Sequence, residues 1–135
     1  MLKGARWRAR GFSNEAIAGK EAIAFLFFKF MKKIECIVRP SDLDPLVAAL
    51  AQTGIGGVTA YPVQGFGKQR AKGKGVLMPK MKLEIFALDI EVDLVLKMIS
   101  KVTCQGGFGD GKIVILPVDD VVRIRTGEQG PKAVF

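Results

Sequence analysis

Two segments of helical period interrupt a series of strand-like runs after residue 30, and that alternation constrains the fold more than any single residue does. Ile34-Glu35-Cys36-Ile37-Val38 reads as a strand ended by Arg39-Pro40. Leu43, Leu46, Val47 and Leu50 then recur at helical spacing, with Asp44 as a cap, Pro45 in the first position where a missing N–H costs nothing, and Gly54 as the stop. Gly57–Val63 predicts a second strand, which Pro62 assigns to a sheet edge or a bulge. Met81–Leu88 alternates as a third strand; Val92, Val95, Leu96 and Ile99 mark a second helix face, with Asp89 as its cap. Lys112–Pro117 supplies a fourth strand, and Val121–Arg125 a last short extended piece. The order β-α-β-β-α-β is the split βαβ, so the expected fold is an α+β, ferredoxin-like βαββαβ sandwich. Two helices cover one face of such a sheet, and the other face predicts an oligomer.

The chain has 135 residues, 49% of them hydrophobic, enough for one domain with a real core and too few for two. Lys and Arg number 21 against 13 acidic residues, a net charge of +8 that suits anionic partners. Residues 1–30 hold Lys3, Arg6, Arg8, Arg10, Lys20 and Lys29 against Glu15 and Glu21, and they end in the cluster Phe25, Phe27, Phe28 and Phe30. They read as an N-terminal extension with three competing readings, an organelle targeting peptide, an accessory helix over Glu15–Phe30 with Met1–Ser13 disordered, or residues upstream of a functional start at Met31, the last being favoured; the folded domain is expected at 31–135. No apolar run reaches bilayer-spanning length, so a soluble, cytoplasmic protein is expected. Histidine is absent, which removes the commonest general base and metal ligand and argues against an enzyme. Cys36 and Cys104 form no Cys-x-x-Cys pair; both read as reduced thiols packed as small apolar residues.

The positive charge is local. No acidic residue occurs from Pro45 to Leu83, and Lys68, Arg70, Lys72, Lys74, Lys80 and Lys82 crowd the far end of that span. Gly65–Lys80 is therefore a cationic, glycine-rich loop between two strands. A second glycine run, Gly107-Phe108-Gly109-Asp110-Gly111-Lys112, matches no complete Walker A or dinucleotide fingerprint, because its spacing differs and a strand follows it. Its backbone N–H groups can still approach an anion closely, with Lys112 as a point charge; a plain turn is the competing reading. In an extended segment Arg123 and Arg125 share one face, about 6–7 Å apart, and each can fork onto a phosphate. Lys112, Arg123 and Arg125 together point to an adenine-nucleotide phosphate site. Nucleic-acid binding by the cationic loop is the alternative of another class, weakened by the lack of aromatic residues beyond Phe66.

From Met31 to Gln129 the chain resembles the PII nitrogen-regulatory signalling proteins. The resemblance rests on Met31-Lys32-Lys33-Ile34-Glu35, Gly54–Thr59, Gly65-Phe66-Gly67-Lys68-Gln69, Pro79–Glu84, Gly109-Asp110-Gly111-Lys112 and Arg123–Glu128, all in family order. It implies a homotrimer with ADP or ATP sites between subunits, AMP being a further candidate and Mg left open. By matched position, Gly109, Asp110, Gly111 and Lys112 hold phosphates, Arg123 and Arg125 reach them at the interface, Gly57, Val58 and Thr59 line the adenine side, and Gly67 stands at the base of a long regulatory loop, the T-loop. Gln69 and Lys80 match positions that orient Mg-ATP and clamp 2-oxoglutarate; Lys68 and Arg70 complete the expected effector site. Such proteins resemble switches, not enzymes: the loop reorders and docks on a target.

Three departures qualify the resemblance. The span from Gly67 to Pro79 is shorter than in typical members and lacks the tyrosine that uridylylating enzymes modify, which argues against that control. Gln105 replaces a threonine before the glycine run and Gly107 replaces a lysine, removing one phosphate contact. The short loop is similar to that of divergent PII-like proteins tied to inorganic carbon, including carboxysome-associated members. The expected function is accordingly a nucleotide-binding regulator sensing bicarbonate and acting on a partner such as a membrane transporter; the alternative is a nitrogen regulator sensing 2-oxoglutarate and ATP without uridylylation.

Overall fold

The computed structural model describes residues 31–67 and 75–135. The N-terminal extension and Lys68, Gln69, Arg70, Lys72 and Lys74 of the cationic loop lie outside the described residues. Strands β1 (Met31–Val38), β2 (Thr59–Gly65), β3 (Met78–Leu88) and β4 (Lys112–Val118) form one sheet in the order β2-β3-β1-β4, with every pair antiparallel. Helix α1 (Leu43–Ala51) follows β1 and helix α2 (Asp89–Thr103) follows β3, which gives the expected ferredoxin-like α+β fold. Pro62 sits on β2, an edge strand, where its missing N–H interrupts no inner ladder.

Alternation along the strands sorts the two faces. Ile34, Cys36 and Val38 of β1 and Leu83, Ile85 and Ala87 of β3 point to one side and are buried, under Leu46 and Leu50 of α1 and Val92, Val95 and Ile99 of α2. Burial pushes the Cys36 thiol up to about 11, so this cysteine is an inert core residue. Cys104, at the C-terminal cap of α2, is exposed and departs from the expectation that both thiols are packed away.

The opposite face carries an ion network that the sequence pattern did not reveal. Glu35 and Glu84 stand directly across from each other in the β1–β3 register, a repulsive arrangement by itself. Two lysines resolve it: Lys33 Nζ lies 2.8 Å from Glu35 and 3.3 Å from Glu84, and Lys82 Nζ lies 3.3 Å from Glu35 and 3.9 Å from Glu84. The Tyr61 hydroxyl donates to Glu84 at 2.8 Å, and with Lys33 it holds that carboxyl below its ordinary range; Lys33 is the main cause of the same shift at Glu35. Exposed Ile37, Phe86, Val114 and Leu116 surround this polar centre on the uncovered face.

Element ends correct the sequence reading in several places. Helix α1 begins at Leu43 and is preceded by the cap Asp42, so Asp44 lies inside the first turn; Pro45 is still harmless there because first-turn N–H groups have no intrahelical acceptor. Asp89 is the first residue of α2, not its cap: the Glu91 side chain accepts the Leu88 N–H at 2.8 Å. The largest correction concerns Val121–Arg125, which is not a strand. Only Val122 bridges, to Gln129, and the Gly127 N–H donates to the Arg123 carbonyl at 2.8 Å, closing residues 123–127 into a turn. Arg123 and Arg125 therefore do not share the face of an extended segment.

Candidate functional site

The glycine run after α2 is shaped by one carboxylate. Asp110 Oδ2 accepts the backbone N–H groups of Gln105 and Gly106, both at 3.0 Å, while Oδ1 accepts the Arg39 guanidinium. Arg39, together with those amides, holds the Asp110 carboxyl at about 2. Arg39 also donates to Asp42 and to the Thr103 carbonyl, at 3.2 Å each, and so ties the end of β1 to the end of α2. The Asp110 carboxylate thus shapes the loop it belongs to. Gly111 completes the docking: its φ of +100° suits glycine, and a Cβ there would collide with the Ile37 carbonyl of β1. The N–H groups of Gly107, Phe108 and Gly109 have no hydrogen-bond partner among the described residues.

These donors open onto a cleft of about 460 Å³. Gly107 to Lys112 form one side; Gly65, Phe66, Gly67, Met78 and Lys80, the two roots of the cationic loop, form the other, with Ile37 between them. The expected residues Gly67, Lys80, Gly109, Asp110, Gly111 and Lys112 are therefore brought together. Lys80 and Lys112 supply positive charge, whereas Ile37, Phe66, Met78 and Phe108 give apolar walls; Phe108 is 71% exposed at the mouth. Such a cleft can seat an anion that also carries an apolar body.

Gly57, Val58, Thr59, Arg123 and Arg125 do not line this cleft. Thr59 opens β2 and Gly65 closes it, so Thr59, expected on the adenine side, lies about 20 Å from the loop root at ~3.3 Å per residue. Arg123 donates to Glu128 at 2.6 Å and to the Lys132 carbonyl at 3.0 Å, while Arg125 lies exposed in the adjacent turn. The candidate residues thus divide into two groups, one around the cleft and one around the start of β2 and the C-terminal turn.

A family profile described as nitrogen regulatory protein P-II matches residues 31–128. The nitrogen regulatory protein P-II of Microchaete diplosiphon is 43% identical over 112 residues, covering 77% of this chain and 100% of that relative. The chain belongs to the P-II family. The P-II 2 protein of Methanothermobacter thermautotrophicus is 45% identical over 113 residues, covering 78% of this chain and 98% of the relative. Among solved structures, Arabidopsis thaliana PII bound to citrate superimposes with a TM-score of 0.68 at 41% identity, over 78% of this chain and 92% of its own. The GlnK-ATP complex of B. subtilis superimposes with a TM-score of 0.70 at 34% identity, over 78% and 96%.

Within this P-II chain, sequence reasoning missed Arg39 and the apolar walls of the cleft. Arg39 carried one local signal, an acidic residue three positions on at Asp42; its other acceptors, Thr103 and Asp110, are 64 and 71 positions away. Among the described residues no group of His, Cys, Asp and Glu is arranged to hold a metal, and no helix is long and apolar enough to cross a membrane.

Proposed function

We propose that this P-II protein is a homotrimeric regulator that binds an adenine nucleotide between subunits. Its cleft offers the open N–H groups of Gly107, Phe108 and Gly109 with Lys112 for phosphates, a chemistry that such donors and a lysine suit. Gly57, Val58 and Thr59, with Arg125 and Arg123, are the second half of the site. The observation that carries this reading is the separation of the two halves by the length of β2, about 20 Å, which places them at opposite ends of one strand and favours a site completed by a neighbouring copy. The uncovered sheet face, apolar around a neutralised polar centre, is the surface on which such copies associate. Support for the ligand comes from the ATP held by the B. subtilis GlnK relative.

Lys80, with Gln69, Lys68 and Arg70 of the loop, is the proposed effector site. The apolar walls suit a carboxylate with methylene groups better than bicarbonate, which has none, and the Arabidopsis relative holds citrate. A nitrogen-regulatory role responding to 2-oxoglutarate therefore leads, and bicarbonate sensing in inorganic-carbon metabolism is the second reading, favoured by the short loop. Nucleotide and effector together set the loop between Phe66 and Leu77, and the loop addresses a cytoplasmic face of a protein target such as a transporter. Regulation, not catalysis, is the output.

Isothermal calorimetry with ATP, ADP and AMP, each alone, with 2-oxoglutarate and with bicarbonate, tests the reading. Heat from at least one nucleotide, with a stoichiometry of one per subunit and enhancement by one of the two acids, is expected. Absence of nucleotide binding in every combination would refute it, and a monomer in sedimentation would refute the shared site.

A further inference from the structure

The last residues of the chain join the parts of the second half-site. Gly130–Ala133 forms a 3-10 turn, and the chain then lays the buried Val134 against the loop before β2. A Cβ at position 56 would collide with the Val134 carbonyl and with Phe135, so glycine is needed there for the strap to seat. Position 56 immediately precedes Gly57, Val58 and Thr59. At its other end the strap is clasped by Arg123, whose guanidinium donates to the Lys132 carbonyl at 3.0 Å and to Glu128 at 2.6 Å. The strap therefore touches both the adenine-side loop and the arginine assigned to phosphate.

We propose that this C-terminal strap, Gly130–Phe135, is a latch in competition with the nucleotide: an anion that takes the Arg123 guanidinium unclasps Lys132 and loosens Val134 from the Gly56 loop. The inference rests on the nucleotide reading above. Arg123 is shared, because the two nitrogens that would fork onto a phosphate now serve two acceptors of the chain itself. Coupling of this kind is reciprocal, so a strap that ATP releases is also one whose removal tightens ATP.

Hydrogen exchange of the full chain, with and without saturating ATP, reads the latch directly, and calorimetry reads its cost to binding. Residues 130–135 are expected to exchange severalfold faster with ATP, and Glu128→Gln is expected to speed the same amides without any ligand. Because Gly56→Ala can misplace the β2 loop as well as the strap, truncation after Gly130 is the companion variant; ATP affinity is expected to rise severalfold in the truncated protein. ATP binding that leaves strap exchange unchanged or slows it overturns the latch while leaving the nucleotide site standing, as does unaltered affinity after truncation. No ATP binding by any form overturns both.

Discussion

Gly111→Ala isolates the contact that seats the anion cradle on the sheet. At φ +100° an alanine leaves the populated backbone regions, at a cost of about 1–3 kcal/mol. Its methyl group also meets the Ile37 carbonyl, backbone that cannot rotate away, and overpacking of this kind costs a further ~1–3 kcal/mol. The sum of about 2–6 kcal/mol is a large part of a domain stability of roughly 5–15 kcal/mol. With an m-value of ~1.5 kcal/mol/M, the urea midpoint falls by about 1–4 M, followed by circular dichroism at fixed protein concentration because an oligomer is expected. Gly107→Ala is the control: it has no positive φ and nothing within 4 Å of an added Cβ. Its midpoint should stay unchanged or rise by the equivalent of up to about 1 kcal/mol. Equal midpoints for Gly111→Ala and the parent, or an equal loss at position 107, would refute the account of how the cradle is held.

Three further outcomes are expected. The Asp110 carboxyl titrates at about 2 against an ordinary 3.8, so its charged form stabilises the glycine loop above pH 3.8 and that contribution is lost as pH falls through about 2; exchange of the Gln105 and Gly106 amides should accelerate across that window, and in Asp110→Asn should be fast and pH-independent after correction for intrinsic rates. In native protein at pH 8, iodoacetamide should modify Cys104 within minutes and leave Cys36 unmodified, which intact mass spectrometry after digestion reads; labelling of Cys36 at a similar rate would contradict its burial. Leu50→Ala, in the fully buried face of α1, should cost about 2–5 kcal/mol in chemical denaturation without altering the charge of the cleft.

The order of elements and the two helices were readable because their residues obey local periods: Val92, Val95 and Ile99 are buried as their spacing requires. Strand ends were less readable. Gly57 and Val58 continue an apolar run, and Val58 does pack against the core, but pairing with β3 begins only at Thr59, opposite Glu84. Met78-Pro79-Lys80 resembles loop in composition, yet it pairs with Val63-Gln64-Gly65 and lengthens β3. The C-terminal segment misled for a similar reason. Val121 and Val122 have strand character, but Asp120 Oδ1 accepts the Val121 N–H at 2.8 Å and the Gly130 N–H at 2.9 Å, folding the chain back on itself. As for the cleft, Gly67, Lys80 and Gly109 to Lys112 of its lining were named from residue type and order, whereas Arg39 was missed because most of its meaning lies in partners distant along the chain.

Strand β2 has a consequence beyond its place at the sheet edge. Its last residue, Gly65, lines the cleft, and its first, Thr59, lies in the half proposed for the adenine side. On the proposed arrangement of shared sites in a trimer, every copy of β2 would have its two ends in two different nucleotide sites. Three sites and three strands then alternate around a closed ring, each strand a stiff tie-rod about 20 Å long. On that proposal, a displacement of Gly65 and Gly67 around a ligand would reach the neighbouring site through six peptide links of a strand paired along its length with β3.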